Sequence, residues 1–400
     1  MKIWMNHSDV SLKTFEMEQS KLSLYGWIEK NNKQVCTEMI EKYFLFGNGN
    51  FNYIYHKSFV KLYAKRLVWV LLSVLTFRKS SYRKFFRIIT KQSFALTASY
   101  DRNIRNNMWR EFLWILLGHG HLTAQDLLPL LPDSEILKKD IHLKSSESPE
   151  VSIIIPVYNQ LAYTYNCLLS LREKISTHIQ YEIIVIDDCS TDSTHTFFMS
   201  NATGIVYIRN MDNMGFLRSC NKAASQAKGR FLCFLNNDTQ ARNGWLENLL
   251  KTFFTDQAVG CAGSKLIFPN GLLQEAGGII YRNGSTDRYG SLEPADLLRF
   301  NKAKEVDYCS GASLMIRKTD FERLHCLDDQ YTPAYYEDTD LCMGVKHILG
   351  KKIIYQPQSQ IVHFEKISSI QEAVSSLLHN NRHKFKNKWR IELLQHSEIP

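Results

Sequence analysis

The chain has 400 residues with 44% apolar and 22% charged side chains, proportions that exclude a disordered or fibrous polypeptide and allow about two domains with a substantial core. Nine cysteines lie scattered with no Cys-x-x-Cys pair, which excludes a zinc ribbon or a disulfide framework and reads as reduced core thiols. The net charge of +9 is uneven: Phe51 to Arg110 holds thirteen lysines and arginines against Asp101 alone, a local +12, so the remainder nets −3.

The first residues, Met1 to Asp9, lack the apolar stretch of a secretory signal, so a cytoplasmic location is expected. Residues 1–140 show no strand-like alternation and are predicted to form a basic helical domain. Between Lys57 and Lys91, cations alternate with Tyr63, Trp69, Phe77, Phe85 and Phe86. That pattern suits peripheral contact with an anionic membrane surface, and equally a helical packing domain with solvent-facing lysines. No nucleic-acid motif accompanies the charge, so no nucleic-acid partner is expected. The longest apolar run, Leu67 to Phe77, is too short to span a bilayer as a helix. The polar tract 141–150, containing Pro149, is predicted to be an interdomain linker.

Beyond it the texture changes. Val151 to Pro156, Tyr181 to Ile186, Gly204 to Ile208 and Arg230 to Leu235 are short apolar runs, separated by helix-compatible stretches. The alternation predicts an α/β domain over 151–370, Rossmann-like, with a mostly parallel sheet covered by helices on both faces, and a helical extension over 371–400. Parallel strands share a direction, so their carboxyl ends open on one edge, where open α/β sheets bind ligands.

The residues at those ends carry chemistry. Tyr158 offers a stacking face for a nucleotide base, and Asp188 an acceptor for a ring N–H or a ribose hydroxyl. Asp187 and Asp192 suit helix capping as well as ligand contact. Asp238, a single acid flanked by amides, suits a divalent cation that takes its remaining ligands from water and a substrate diphosphate; Asn236-Asn237-Asp238-Thr239 is also ordinary turn chemistry. The turn after the first strand has no glycine and no Walker loop is present, so hydride transfer and P-loop phosphoryl transfer lose their main support.

Downstream, Glu337, Asp338 and Asp340 crowd the start of a predicted helix, Leu341 to Leu349. Capping accounts for one of the three. Glu337 and Asp338 suit an acid–base pair in which a carboxylate takes the proton of an attacking hydroxyl. His363, behind an apolar pair, reads either as a metal ligand or as a satisfied structural histidine. Gly277-Gly278 to Tyr289 reads as part of a sugar pocket or as a plain hairpin.

Taken in order, these motifs resemble those of the family 2 glycosyltransferases, enzymes of the GT-A fold that move a sugar from a nucleotide to an acceptor hydroxyl. The resemblance spans about 152–369 and rests on Ser152 to Asn159, Ile184 to Asp192, Asn213 to Phe216, Phe234 to Thr239, Asp307 to Ala312, Tyr336 to Leu341 and Val362 to Ser368. It implies donor-nucleotide contacts at Pro156, Tyr158 and Asp188, with Asn213 and Asn237 beside them. It implies a Mn2+ or Mg2+ ion at Asp238 and His363, a catalytic base at Asp338 with Glu337 as its neighbour, and an acceptor floor at Ser310 and Gly311. Asn236 stands where the family's Asp-x-Asp motif has its first acid, which should weaken metal binding in the absence of the nucleotide.

The expected activity is metal-dependent, inverting transfer of a hexosyl or deoxyhexosyl group from a UDP- or dTDP-sugar to a glycan or lipid-linked acceptor, in assembly of a cell-surface glycan of the lipopolysaccharide or O-antigen kind. Processive synthases of the family carry Gln-x-x-Arg-Trp, whereas here Lys388-Trp389-Arg390 reverses the order, so one or a few sugars per encounter are expected. A nucleotidyltransferase on a similar sheet would need a glycine-rich basic loop after the first strand. A non-catalytic carbohydrate-binding or scaffold protein would tolerate loss of Asp238 and Asp338.

Overall fold

The computed structural model describes residues 127–365 and 371–399, together with a two-stranded ribbon of Lys2–Ile3 and Phe15–Glu16. The basic segment 57–91 and, apart from the ribbon and residues 127–140, the helical domain expected over 1–140 lie outside the described residues; 127–140 holds one helical turn, Asp133–Ile136. Leu122–Pro400 forms one compact unit.

The domain is built on one sheet whose strands, in chain order, are β1 (Val151–Val157), β2 (Tyr181–Asp187), β3 (Val206–Arg209), β4 (Phe231–Leu235), β5 (Thr239–Ala241), β6 (Val259–Ile267), β7 (Leu273–Glu275), β8 (Lys304–Glu305), β9 (Ser313–Arg317) and β10 (Lys352–His363). Its spatial order is β8-β10-β6-β9-β4-β1-β2-β3, with β7 beside β6 and β5 beside β10. The pairs β1–β2, β1–β4, β2–β3 and β6–β10 are parallel. β9 is antiparallel to both β4 and β6. Every residue of β1, β2 and β4 is buried, as continuous apolar strands must be when helices cover both faces.

Alternation within β1 divides the core. Ile153, Ile155 and Val157 pack with Leu161, Leu168 and Leu171 of α1 (Leu161–Lys174), whereas Ile154 packs with Leu217, Cys220 and Ala223 of α3 (Phe216–Gln226). A short helix, α2 (Thr194–Ser200), intervenes between them, and α4 (Trp245–Thr255) joins the first face. Leu341, Met343 and Val345 of α5 (Glu337–His347) join the second. The α/β architecture with a mostly parallel sheet and helices on both faces is therefore as expected. The eight described cysteines are free.

The tract read as a linker is packed against this domain. Ile141 and Leu143 are buried in the first core while His142 between them is exposed, and Ile141–His142 pairs with Ala202–Thr203. Its serines and proline mimic a linker; the apolar-in, polar-out alternation at 141–143 is what docks it.

The carboxyl-terminal helix α6 (Gln371–Lys388) is equally part of the body. Asn381, Phe385, Trp389 and Leu393, four residues apart, form one buried stripe. The stripe docks on Asp340, whose Oδ1 accepts from the Trp389 indole at 2.7 Å and the Tyr331 hydroxyl at 3.0 Å, while Oδ2 meets Lys388 Nζ at 2.7 Å. Burial holds the Asp340 carboxyl above its ordinary range even so, with Lys388 and Trp389 pulling the other way. Truncating this acceptor, as Asp340→Ala, strands the buried Trp389 and Tyr331 donors and leaves Lys388 with Asp328 alone. Chemical denaturation should show a loss of about 3 kcal/mol.

Candidate active site

Because β1, β2 and β4 are parallel and in register, with Val157 opposite Asp187 and Ile154 opposite Phe234, their carboxyl ends meet at one edge. Pro156 is buried opposite Ile186. The chain leaves β1 through Tyr158, 41% exposed, then turns into α1 at Asn159 and Gln160, both left-handed (φ 58° and 63°). The strain at Asn159 is held by its own side chain: Oδ1 accepts from the amides of Thr191 at 2.7 Å and Asp192 at 3.2 Å.

The acids after β2 divide by partner. Asp187 is fully buried and takes the Tyr207 hydroxyl at 2.6 Å, Arg209 at 2.8 Å and the Ser190 amide at 2.8 Å, a structural set. Asp192 accepts from the first amides of α1 and α2, Leu161 at 3.2 Å and Thr194 at 3.0 Å, so it caps helices. Asp188 faces the 210–215 loop, accepting from Asn210 Nδ2 and the Met214 and Gly215 amides, each at 2.8 Å. Asn213 lies exposed on that loop.

At the end of β4, Asn237 Nδ2 donates to Thr164 of α1 at 2.9 Å, and Asp238 Oδ1 lies 3.2 Å from His363 Nε2. His363 ends β10 opposite Thr239 of β5, so the strand pairing itself brings the histidine to the acid. Asn236 Nδ2 is 3.3 Å from the same imidazole nitrogen, and its Oδ1 is buried with no partner. Burial pulls the His363 imidazole down, but the Asp238 charge and hydrogen bond outweigh it and leave the group above its ordinary value.

Asp338 belongs to the second half of the edge. Tyr335 and Tyr336 are both left-handed (φ 73° and 74°) and swing α5 so that its first turn points at the 310–312 stretch. Asn381 of α6 clamps this turn by donating to the carbonyls of Tyr331, Ala334 and Tyr335 at 2.9–3.1 Å. Asp338 Oδ2 accepts from the Gly311 amide at 2.9 Å and Oδ1 from the Thr339 amide at 2.7 Å. Burial pushes the Asp338 carboxyl up, against those amides. Glu337 Oε2 is buried without a hydrogen-bond partner, and burial with Asp338 beside it pushes this carboxyl well above its usual range.

The two halves are joined twice. Gly311 holds Asp338 while the next carbonyl, Ala312, accepts from the Asn236 amide at 3.1 Å. On the other side Gly215, at φ +85°, packs where a Cβ would lie 2.5 Å from Pro333, which couples the loop held by Asp188 to the turn that presents Asp338.

Four further polar residues enter this edge that were given no role in the sequence, although Arg288 and Glu365 fell within segments already marked. Gln274 and Glu275 lie on β7, Arg288 on the hairpin formed by Gly278–Ile280 and Thr286–Arg288, and Glu365 just past β10. Gln274 Oε1 meets His363 Nδ1 at 2.8 Å, and Glu275 accepts from the Ser310 amide at 3.1 Å. Their signal was a polar pair inside the apolar run Leu272 to Ile280, next to two glycines. The 277–289 segment is a hairpin; the cavity of about 410 Å3 on its flank is lined by Tyr289, Lys304, Asp307 and Lys346, and by none of the acids above.

The donor set fits a hard or borderline divalent cation. One carboxylate oxygen and one imidazole nitrogen lie 3.2 Å apart, an O/N combination suited to Mn2+ or Mg2+, and the amide oxygen of Asn236 on the same turn is buried without a partner. Among the described residues no three His, Cys, Asp or Glu side chains form a ready cage, so remaining ligands would come from substrate and water.

An open α/β sheet with this edge defines the GT-A class of glycosyltransferase fold. The crystal structure of GalNAc-T7 with UDP, GalNAc and Mn2+ is similar in fold at 18% identity, covering 62% of this chain and 49% of that one with a TM-score of 0.50. Residues 152–324 match the model of glycosyl transferase family 2, so this part of the chain is a domain of the family 2 glycosyltransferase kind. Among relatives, the uncharacterized protein y4gI of Sinorhizobium fredii is 25% identical over 55% of this chain and 25% of its own length. TuaG of Bacillus subtilis, named for teichuronic acid biosynthesis, is 32% identical over 26% of this chain and 41% of its own. The chain thus spans less than half the length of these curated relatives.

Glu275 gives this site a measurable signature. Burial pushes its carboxyl from 4.5 up to about 7, against the pull of Arg288 and the Ser310 amide. The folded state therefore holds its proton longer than the unfolded state, and the associated stability is full below pH 4.5 and lost as pH rises through 7. Between those limits, the unfolding free energy of Glu275→Gln should gain up to about 3 kcal/mol relative to the parent, read by denaturant titration at each pH.

Proposed function

We propose that this glycosyltransferase moves a single sugar from a nucleotide-sugar donor to an acceptor hydroxyl with inversion, using Asp338 as base and a divalent cation at Asp238 and His363. The observation that carries this reading is that consecutive residues, Gly311 and Ala312, bond Asp338 on one side and the Asn236 amide, two residues before Asp238, on the other, at one sheet edge. Tyr158, exposed at that edge, is assigned to stacking on the donor base, with Pro156, Asp188, Asn213 and Asn237 shaping the nucleotide site. Mn2+ or Mg2+, when bound, would supply positive charge to the departing diphosphate.

The base assignment follows from electrostatics. A carboxyl raised by burial yet held by two backbone amides is oriented and basic enough to take a proton from an incoming hydroxyl. Glu337, buried beside it with its carboxyl pushed well above the usual range, is assigned to keeping that environment dry rather than to proton transfer. Ser310 and Gly311 would floor the acceptor position.

The donor is read as a UDP- or dTDP-hexose or deoxyhexose and the acceptor as a glycan, lipid-linked in a cell-surface polymer. Support comes from the similarity to TuaG and from the net +12 at 51–110, which suits an anionic membrane surface. Among the described residues no helix is long and apolar enough to cross a membrane.

Asp338→Asn should lower kcat by about 10²–10⁴-fold while nucleotide binding, followed by calorimetry, is retained; near-parental turnover removes Asp338 from this role. In a separate assay, EDTA should abolish transfer and added Mn2+ restore it. Turnover indifferent to both rules out the cation.

A further inference from the structure

A single line of hydrogen bonds leaves His363 on the side away from Asp238. His363 Nδ1 lies 2.8 Å from Gln274 Oε1, Gln274 Nε2 donates to Glu365 Oε2 at 3.1 Å, and Arg288 donates to Glu365 Oε1 at 2.6 Å. The polarity of this line can run in only one direction. A guanidinium only donates and an ionised carboxylate only accepts, so Glu365 is committed as acceptor. Gln274 must then turn its NH2 toward Glu365, which leaves its carbonyl facing the imidazole. A carbonyl cannot donate, so Nδ1 carries the hydrogen and Nε2, 3.2 Å from Asp238 Oδ1, is the nitrogen available to a cation.

We infer that Gln274, braced by Glu365 and Arg288, is the positioning residue that fixes the His363 tautomer and thereby sets the affinity of the Asp238–His363 pair for a divalent cation. The inference rests on the metal reading proposed above. The backbone supports it: Gln274 sits on β7, tied to β6 through Leu266 opposite Glu275, and Arg288 is held opposite Gly278 in the hairpin. His363 is 7% exposed, so no bulk water replaces the Gln274 carbonyl if it is removed.

The test measures Mn2+ binding in the presence of UDP by the loss of the free-ion paramagnetic resonance signal, with thermal melting alongside and two-bond nitrogen–proton correlations to read the His363 tautomer. Gln274→Leu should weaken Mn2+ binding about 10–100-fold and mix the tautomers. The double variant Gln274→Glu with Glu365→Gln preserves the polarity of the line and should bind Mn2+ as the parent does. Arg288→Met should weaken binding in the same direction by a smaller factor. Parental Mn2+ affinity in Gln274→Leu overturns the proposal. So does a swapped double variant that folds but binds no better than Gln274→Leu, and so does an unchanged affinity in Arg288→Met should Gln274→Leu not fold. If the unmodified protein with UDP takes up no Mn2+, the metal reading itself fails and this inference falls with it.

Discussion

The direction of three strands governs this molecule. Because β1, β2 and β4 run parallel and in register, Tyr158, Asp188 and Asp238 emerge on one edge with no loop required to gather them. The antiparallel strand β9 completes the arrangement for the opposite reason: it starts where β4 ends, with Ser313 opposite Leu235, so the residues feeding it, Gly311 and Ala312, are delivered to the same edge. A parallel β9 would have begun at the far end of the sheet.

The second half of the edge depends on strain held in check. Consecutive left-handed tyrosines before α5 cost energy that the local sequence does not repay, and the compensation comes from elsewhere in the chain. Asn381 satisfies the carbonyls of that turn, Tyr336 donates to the Gly284 carbonyl at 3.0 Å, and Asp340 anchors α6 through Trp389 and Lys388. The carboxyl-terminal helix is thus a support of the proposed base. Of the three acids at 337–340, one bonds the floor, one is buried unpaired and one holds the helix.

What the sequence disclosed follows the range of the interaction. Elements set by local periodicity, such as the buried strands and the α1 and α3 helices, were legible, as was the edge at which they end. Acids were legible as positions but not as roles. Asp187 and Asp188 are adjacent, yet one closes on Tyr207 and Arg209 and the other on the 210–215 loop, a distinction made by partners about 20 residues away. Gln274 and Arg288 were legible at most as polar residues in and beside an apolar, glycine-marked segment, because their importance lies in a bonding order that exists only once β7, the hairpin and β10 are side by side. The 141–143 segment shows the converse: a local alternation was present, but serines and a proline around it outweighed it.

An amide and not an acid at Asn236 sets the charge balance of the proposed cation site. A second carboxylate would add negative charge and strengthen cation binding before substrate arrived. Here Asp238 is met by His363, whose imidazole is held above its ordinary value by that same carboxylate, so a proton competes for the position a cation would take. On the proposed reading, a cation must displace that proton and gains only one protein charge in return. The diphosphate of a bound donor would supply the missing charge, which would make cation and nucleotide binding mutually dependent. Such coupling would keep the charge that assists departure of the leaving group out of the site until there is a leaving group to assist.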